Sequence, residues 1–480
     1  MNDPEVAREY HRATMHDPSG LRPEHPRLVR GYRPLQWDRK PPQFKTYPGL
    51  EGLPLPGDVL HISQDELGAR LLSRLLFLSA GVVRMADVGG DTLFFRAAGS
   101  AGNLSPIEVY VVTGDLPELE AGVYHYEPVE HALVRLRPAP SDTPPALVLT
   151  GVPWRTAWKY RERGFRHLYW DAGTMLAHTL ALAEEAELAV SVELGFVDDR
   201  VTALIGADGV HEFALAVVAL SGSVALPEPE EVPAGHLADD PLEFPLVTLA
   251  QRAGDLAADE DVEGWRRAAR SIPGEHAPSD HGPCLNRPLD EVIRRRGSCR
   301  QFDPGRMAPA ELLGSAMASA TRAVPGDFVA DGATLLEHYL TVHAVEGVAP
   351  GAYRWREGEL ELLRAGEVRH TAGHLCLDQT LGSSGAYTAF HSARLEDLLS
   401  ALGSRGYRAA QLEAGIVEGR LHLLAYDRGF GATGLTFYDR EVTRFFATEA
   451  VPMLVTAVGA PAHAPVPGGV PRRPVRLRRT

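Results

Sequence analysis

The stretch Gly164-Phe165-Arg166, followed by Asp171-Ala172-Gly173, decides the fold because the chain repeats it. It returns 242 positions later (415 − 173) as Gly406-Tyr407-Arg408 followed by Glu413-Ala414-Gly415. Two earlier stretches, 107–110 and 122–126, return at an offset of 229 as 336–339 and 351–355 (339 − 110, 353 − 124). A later stretch, 196–198, returns at an offset of 241 as 437–439 (439 − 198). Such a repeat is too long for a solenoid unit and indicates a duplicated domain. Two copies in one chain predict an intrachain pseudo-dimer.

Composition indicates an ordinary soluble protein of two or three domains. The chain has 480 residues, of which 44% are hydrophobic and 23% charged. No apolar run approaches the ~20 residues of a membrane span, and the acidic N-terminus lacks the apolar core of a signal peptide. The three cysteines, Cys284, Cys299 and Cys376, form no CxxC pair, which favours a reducing cytoplasm. A net charge of −15 argues against general binding to nucleic acid or anionic membranes.

Hydrophobic periodicity predicts an α+β fold. The first 58 residues, including Tyr32-Arg33-Pro34-Leu35 and Pro41-Pro42-Gln43-Phe44, are typical of extended chain wrapped over a surface. The predicted helices cover residues 67–80, 165–188, 262–269 and 410–426, and the predicted strands 107–112, 122–126, 131–136 and 213–220. Residues 137–147 are predicted as a loop, and 271–284 as an exposed, turn-rich tract. The resulting units are an N-terminal extension (1–59), a first domain (60–223), a linker (224–286), a second domain (287–465) and a basic tail (466–480).

Arg296, Ser298 and Arg300 form the motif Arg-x-Ser-x-Arg, which suits a small oxyanion. Two guanidinium groups and a hydroxyl, two residues apart, can converge on a phosphate through paired, charge-assisted hydrogen bonds. Taken alone, the motif is more typical of a solvated basic run at a helix end. The duplication is what favours a binding site.

Together these motifs resemble a tandem member of the nitroreductase-like FMN flavoenzymes, closest to the azoline dehydrogenases that form thiazoles and oxazoles in peptides. The resemblance covers residues 60–222 and 287–460. It implies that Arg296, Ser298 and Arg300 bind the FMN phosphate and ribityl chain. It also implies that the loop Ser100-Ala101-Gly102-Asn103-Leu104-Ser105-Pro106 reaches the flavin from the other copy, through Ser100, Gly102 and Asn103. Gly431, Ala432, Thr433 and Gly434 would flank the isoalloxazine ring, and Arg472 or Arg473 of the tail would help at the phosphate.

The two copies lack complementary parts of such a site. The first copy has no Arg-x-Ser-x-Arg motif, and its counterpart of the Gly-rich loop, residues 189–195, has lost most glycines. The second copy reads Phe328-Val329-Ala330-Asp331-Gly332 at the Ser-Ala-Gly position, where Asp331 would bring a carboxylate near the flavin. One complete site between the copies is therefore predicted, with one FMN per chain.

Lys159 and Tyr160 occupy the position at which azoline dehydrogenases often carry a catalytic Lys-Tyr pair. Removal of a proton and a hydride needs a base, and either side chain with a lowered pKa would serve. The ordinary reading, a Lys-Tyr pair at a helix start, stays open.

Other chemistries find little support in the sequence. Residues 429–434 match G-x-G-x-x-G, but a helix is predicted before them where a Rossmann site needs a strand. There is no HExxH for a metal site, no GxSxG for a hydrolase, and Cys299 is interpreted as packing. Two alternatives to the dehydrogenase remain: an NAD(P)H-dependent reductase of nitro or quinone compounds, and a flavin-free relic that binds a peptide or partner. The substrate is a small molecule or peptide, and a higher oligomer is left open.

Overall fold

Two antiparallel sheets and two long central helices form the framework of the protein. The computed structural model describes residues 3–19, 35–60, 62, 66–272, 274–277 and 285–477. Residues 32–34 of the predicted N-terminal extended segment, Cys284 and the last residues of the basic tail lie outside these ranges. Residues 60–223 are called the first half below, and residues 287–465 the second half.

The helices are α1 (Pro4–Thr14), α2 (Ala69–Ala80), α3 (Pro153–Tyr160), α4 (Gly164–Glu185), α5 (Asp198–Leu204), α6 (Pro245–Arg252), α7 (Asp259–Arg270), α8 (Leu289–Arg295), α9 (Ala310–Ala320), α10 (Arg369–Leu375), α11 (Thr380–Ser384), α12 (Leu395–Asp427) and α13 (Asp439–Phe446).

The strands are β1 (Gly52–Pro54), β2 (Val82–Val88), β3 (Asp91–Arg96), β4 (Ile107–Thr113), β5 (Gly122–Glu127), β6 (Ala132–Pro138), β7 (Ala146–Gly151), β8 (Ser191–Glu193), β9 (Phe213–Ala219), β10 (Glu275–His276), β11 (Ala333–Thr334), β12 (Leu336–Val342), β13 (Gly351–Arg356), β14 (Glu359–Ala365), β15 (Tyr387–Ala393), β16 (Gly431–Leu435), β17 (Val451–Gly459) and β18 (Val475–Arg476).

The two large sheets share one strand order. The first runs β1-β6-β5-β4-β7-β9-β8 and the second β14-β13-β12-β15-β17-β16, so the second lacks only a counterpart of β1. Central strands such as β4 are buried on both faces, which explains why they read as continuous apolar and β-branched runs. Two short sheets, β10-β11 and β18-β2-β3, complete the structure.

Helices α4 and α12 cross at contact distance, and glycine makes this possible. A Cβ added to Gly173 would lie 2.4 Å from the carbonyl oxygen of Leu412 and 2.6 Å from Cα of Gly415. A Cβ added to Gly415 would lie 2.5 Å from the carbonyl oxygen of Trp170. The two glycines that the repeat aligns therefore touch each other where the halves meet.

Reciprocal ion pairs flank this crossing. Asp198 of the first half accepts hydrogen bonds from Arg405 and Arg408, at 2.6 and 3.0 Å. Asp439 of the second half accepts them from Arg163 and Arg166, at 3.1 and 2.8 Å. Asp439 and both of its arginines are almost completely buried. The contact thus has the same residue types on both sides, as in a two-fold interface.

The N-terminal segment contacts both halves. Helix α1 places Tyr10 edge-to-face against Phe165 and Tyr407, with ring centroids 5.2 and 6.0 Å away. Residues 35–58 contain little regular structure beyond β1 and a 3₁₀ turn at Trp37–Arg39. Their carbonyl groups accept hydrogen bonds from α3: Arg155 Nε donates to Pro42 O and Trp158 Nε1 to Gln36 O. The segment thereby holds the helix that carries Lys159 and Tyr160.

The structure confirms most of the predicted elements and corrects several. The α+β class and the helices and strands predicted around residues 67–80, 107–136, 165–188, 213–220, 262–269 and 410–426 are present. Helix α1 was missed although Asp3 caps it and Pro4 begins it. Part of the predicted 137–147 loop belongs to β6 and β7, and the predicted loop at 429–435 is largely the edge strand β16, held by pairing with β17. Within the described ranges, no helix is both long and apolar enough to cross a lipid bilayer.

Substitution of Gly173 by alanine is expected to destabilise the protein strongly. The new methyl group would meet backbone atoms of α12, which cannot move aside without separating the helices. Overpacking of this kind costs about 1–3 kcal/mol, so the midpoint of urea unfolding should fall.

Gly264→Ala is the matched control, because a Cβ at this position of α7 meets nothing within 4 Å. It should raise stability by up to about 1 kcal/mol through helix propensity. Equal midpoints for the two variants would contradict the packing argument.

Candidate active site

A cavity of about 310 Å³ lies where the two halves meet, between α4, α12, α3 and β16. This volume is at the lower end of the roughly 300–1,000 Å³ typical of small-molecule sites. Residues far apart in sequence line it: Gly99, Ser100, Ala101, Gly102, Lys159, Tyr160, His167, Asp171, Thr174, His178, Arg296, Ser298, Arg300, Gln379, Leu381, Glu418, His422, Thr433 and Gly434 among them.

The Arg-x-Ser-x-Arg motif leaves α8 in an extended conformation and enters this cavity. Arg296 is buried, its Nε donates to Ala97 O at 2.9 Å, and burial lowers the pKa of its guanidinium. Arg84 of the first half in turn donates to Arg296 O. Ser298 and Arg300 are exposed, and neither makes a hydrogen bond or ion pair with another described residue. A buried arginine and two unpaired donors therefore face the same space.

The Ser-Ala-Gly loop covers the cavity from the first half. Ser100 Oγ donates to Asp171 at 2.7 Å, which ties the loop to α4. Gly102 has φ +63°, and a Cβ added there would lie 2.9 Å from Tyr160 OH and 3.1 Å from Lys159 Nζ. A side chain here would push these two flexible tips aside, and the positive φ also favours glycine. Asn103 faces away from the cavity, since its Nδ2 donates to Phe94 O.

The pKa values of Lys159 and Tyr160, at the end of α3, are shifted in opposite directions from their usual values. Burial and the nearby positive charge of Arg300 lower the pKa of the Lys159 ammonium. Burial and the carboxyl of Asp171 raise the pKa of Tyr160 to about 12. The imidazole of His167 stacks on the Tyr160 ring, with centroids 4.0 Å apart. Lysine is therefore the easier of the two to deprotonate, and tyrosine stays a donor.

The Gly-rich segment borders the cavity differently from the prediction. Thr433 and Gly434 line it, whereas Gly431 and Ala432 do not. A Cβ at Gly431 would meet Cys299 Cβ at 3.0 Å, and one at Gly434 would meet Glu418 Oε1 at 2.1 Å. The space beside these glycines is thus already taken by protein side chains.

The inner wall of the cavity carries polar side chains that the sequence analysis missed. Asp171, Thr174 and His178 project from α4, and Glu418 and His422 from α12. His178 Nδ1 bonds to Leu78 O, and its Nε2 is a buried atom without a hydrogen-bond partner. His422 Nε2 lies 3.4 Å from Glu418 Oε1. Burial lowers the pKa of His178 to about 3, so the ring is neutral. The α4 residues are spaced i, i+3, i+7 and the α12 residues i, i+4, so each set lies on one face of its helix. This spacing is the sequence signal from which the polar wall could have been predicted.

The structure brings most of the predicted site residues together: Ser100, Gly102, Lys159, Tyr160, Arg296, Ser298, Arg300, Thr433 and Gly434. Asn103, Gly431, Ala432 and Arg473 lie outside the cavity lining, and Arg473 is exposed. Arg472 is engaged elsewhere, donating to the carbonyl oxygens of Glu130 and Leu55.

Cys299 is buried, in line with its interpretation as packing. Among the described residues, no three His, Cys, Asp or Glu side chains are grouped to hold a metal ion.

The position related by the repeat is filled by side chains. Arg420, which aligns with His178, is buried and donates to the carbonyl oxygens of Ala320, Arg322 and Ala323. Arg266 of α7 pairs with Glu193 at 2.8 Å and Asp327 at 2.7 Å. The carboxylate predicted there was Asp331, which is instead exposed.

The Ser-Ala-Gly counterpart is also displaced from its predicted place at 328–332. Glu413, aligned with Asp171, accepts from Thr334 Oγ1 at 2.6 Å and Leu335 N at 2.9 Å. Thr334 and Leu335 are therefore the structural equivalents of Ser100 and Ala101. A mainly apolar cavity of about 340 Å³ lies beside them, with Arg394 at its rim paired to Asp397.

The stability of the protein should depend on pH through Asp171. Burial raises the pKa of this carboxyl to about 7, although the hydrogen bonds from Ala101 and Ser100 act to lower it. The negative charge of Glu418 on α12 raises it further, and Tyr160 of α3 lies nearby. A raised pKa contributes stability that is full below about pH 4 and is lost as pH rises through about 7. Asp171→Asn removes this loss. The difference in Tm, variant minus parent, should therefore grow by roughly 2–4 °C between about pH 5 and pH 8.

Asp199→Asn, which removes an exposed carboxyl of α5, provides the control and should show a constant difference across this range. A constant difference for Asp171→Asn as well would refute the assignment of a raised pKa.

Comparison with known proteins relates this architecture to nitroreductase-like proteins. No family model matches the chain. A nitroreductase-like protein of Methanocaldococcus jannaschii is 27% identical over 154 residues, which is 29% of this chain and 74% of that protein. The crystal structure of a nitroreductase-like protein of Anabaena variabilis superposes with a TM-score of 0.76 and 24% identity, covering 95% of this chain and 99% of its own.

A partial match is to the Escherichia coli microcin synthetase complex McbBCD bound to truncated pro-MccB17. It is 22% identical, covers 46% of this chain and 95% of its own, and superposes with a TM-score of only 0.29. The likeness to the Anabaena protein extends over nearly the whole chain, and the protein therefore has a nitroreductase-like fold.

Proposed function

We propose that the protein is an FMN-dependent oxidoreductase with one flavin site per chain, built from both halves. The observation that carries the proposal is the convergence of Arg296, Ser298 and Arg300 with the Ser-Ala-Gly loop and the Lys159–Tyr160 pair in one cavity. The arginine motif lies more than a hundred residues along the chain from the other two segments, and only the resemblance to flavoenzymes links the three in the sequence. The relatives described as nitroreductases support an oxidoreductase in general.

The residues present fit a flavin nucleotide. Ser298 and Arg300 offer unpaired donors to a phosphate, and Arg296 adds a buried positive charge. The bare Nε2 of His178 is an acceptor inside the cavity, where a ligand rich in hydroxyl groups would supply a donor. An unsatisfied buried polar group costs about 1–3 kcal/mol, so a polar ligand that pairs it would gain affinity.

A single site per chain is supported by the way the related position is filled. At the related position, Arg420 stands where His178 stands in the open cavity, and Glu193, paired with Arg266, stands where Gly434 stands. We also infer that the chain is a fused pseudo-dimer. Its proposed units are residues 1–59, 60–223, 224–286, 287–465 and 466–480, and the shared strand order and reciprocal ion pairs support this division.

The proposed reaction is dehydrogenation of an azoline-type ring in a peptide or small molecule. Bound FMN would supply the two-electron chemistry by accepting a hydride. Lys159, whose pKa is lowered, takes the proton that leaves the substrate carbon. Tyr160, whose pKa is raised to about 12, stays protonated and donates a hydrogen bond that orients the substrate. Opposite shifts in neighbouring groups favour this division of roles.

The second candidate is reduction of nitro or quinone compounds with NAD(P)H, favoured by the description of both relatives as nitroreductases. Anaerobic mixing of the FMN-loaded protein with NAD(P)H distinguishes the two reactions. Fast bleaching of the flavin absorbance would support the reductase. Slow bleaching, with turnover of an azoline-containing peptide, would support the dehydrogenase.

FMN titration is expected to saturate at one flavin per chain, and Arg300→Ala should weaken binding about 10- to 100-fold. The substitution removes a charged phosphate contact worth about 1.5–3 kcal/mol. Because Arg300 is exposed and makes no ion pair within the described ranges, Tm should not change. Quenching of flavin fluorescence gives both stoichiometry and affinity.

Arg295→Ala is the charge-matched control, since Arg295 belongs to the same basic run but lies 3.7 Å from Glu291 on α8. Its FMN affinity should equal that of the parent. Two flavins per chain would overturn the single site, and unchanged affinity in Arg300→Ala would overturn the phosphate assignment.

Lys159→Ala and Tyr160→Phe should each retain FMN and lower turnover about 100-fold, as loss of a general acid or base does. Lys40→Ala removes a half-buried ammonium outside the cavity, one paired with Asp91 at 3.0 Å, and should leave turnover unchanged. Parental rates in Lys159→Ala or Tyr160→Phe would return the pair to an ordinary helix-end role.

A further inference from the structure

A carboxylate in the middle of α4 holds the loop that covers the cavity. Asp171 Oδ2 accepts from Ser100 Oγ at 2.7 Å, and Oδ1 accepts from Ala101 N at 3.0 Å. Ser100 Oγ also accepts from Ser105 N at 2.9 Å, which closes the loop on itself. One turn further along α4, Thr174 Oγ1 donates to Gly99 O at 3.0 Å. The loop is thus attached to the helix at consecutive residues.

The attached loop sets the position of the candidate catalytic side chains. Gly102 follows Ala101 directly and adopts φ +63°. Its Cα lies so close to Lys159 Nζ and Tyr160 OH that a Cβ would come within 3.1 and 2.9 Å of them. A shift of the loop by a fraction of an ångström therefore moves the surface against which both tips rest.

The second half contains the same attachment, but the cavity of about 340 Å³ beside it is mainly apolar, and among the described residues no counterpart of the Arg-x-Ser-x-Arg motif lines it. Glu413 accepts from Thr334 Oγ1 at 2.6 Å and from Leu335 N at 2.9 Å, and Thr334 Oγ1 accepts from Leu336 N at 3.2 Å. Both carboxylates are almost completely buried. The space beyond Glu413 is filled by Arg420. The chain therefore carries the same attachment twice, once beside the cavity that the arginine motif enters and once beside a mainly apolar cavity.

We propose that Asp171 is a positioning residue of the flavin site, which fixes the Ser-Ala-Gly loop over the bound cofactor and keeps Lys159 and Tyr160 in register with it. This role rests on the proposed function. Glu413 performs only the structural half of it, holding its own loop in place with no cofactor underneath. Both carboxylates contribute to the stability of the protein, whereas Asp171 alone contributes to retention of the cofactor.

Asp171→Ala and Glu413→Ala test the proposal as a matched pair. Each leaves two loop donors without their acceptor, so both variants should lose a similar amount of thermal stability. Only Asp171→Ala should also bind FMN about tenfold more weakly and release it faster, because loop closure over the ligand is lost. FMN affinity of Glu413→Ala should stay within about twofold of the parent. Asp171→Asn, which keeps an acceptor oxygen, should restore most of the affinity.

Limited proteolysis of the flavin-free proteins provides a second readout that does not depend on the cofactor. Asp171→Ala should be cut faster than the parent between residues 99 and 105, and Glu413→Ala should not. FMN affinity and loop cleavage that are parental in Asp171→Ala, or altered equally in Glu413→Ala, would overturn the proposal. If Asp171→Ala does not fold, Ser100→Ala is compared with Thr334→Val by the same criteria, because each removes the hydroxyl donor to its carboxylate. A parent chain that binds no FMN would instead defeat the proposed function, and the proteolysis result would then decide the role of Asp171 alone.

Discussion

The contact between Gly173 and Gly415 is the constraint on which the rest of the structure depends. Helices can approach this closely only where neither presents a Cβ, and the backbone distances at the crossing leave no space for one. The ion pairs of Asp198 and Asp439 lie on either side and involve arginines of the opposite half. Buried ion pairs add little net stability compared with apolar packing, but loss of one partner costs about 3–5 kcal/mol. Their contribution is therefore to fix the register of the two helices.

Because the crossing of α4 and α12 has matching residues on both sides, two related spaces lie beside it. A few side chains determine which of the two stays open. His178 leaves its space open, while Arg420 at the aligned position extends to the carbonyl oxygens of Ala320 and Arg322. Gly434 has no side chain, while the aligned Glu193, the last residue of β8, pairs with Arg266 from the linker helix α7. An arginine from the segment that joins the halves thus stabilises the filled side. The asymmetry that the sequence analysis inferred from missing motifs has a physical counterpart in these substitutions.

The fold was predictable where residues repeat or where periodicity is strong. The repeat identified the residues at the helix crossing before their contact was known, and the long apolar periods of α4 and α12 predicted helices correctly. The hairpin of β2 and β3 was missed although Gly89 and Gly90, both with positive φ, form the tight turn expected between two β-branched segments. Strand β16 was not predictable from composition, because glycine has low strand propensity and only pairing with β17 makes the segment a strand.

The site was predictable in its motifs but not in its inner wall. Asp171, His178, Glu418 and His422 occupy positions of buried helices that look like core until the partner helix is in place. Their chemistry depends on that burial, which raises the pKa of Asp171 to about 7 and keeps His178 neutral.

Charge is distributed unevenly across the cavity as a result. Ser298, Arg300 and Lys159 are exposed at one side, whereas Asp171 and Glu418 are buried at the other. An anionic group is attracted to the exposed arginine and repelled by the buried carboxylates, and the Coulomb energy of each interaction grows as water is excluded. Arg296, which is buried, interacts electrostatically with Glu418. A ligand with one charged end and one uncharged end therefore has a single favourable direction of entry, with its charged end toward Arg300.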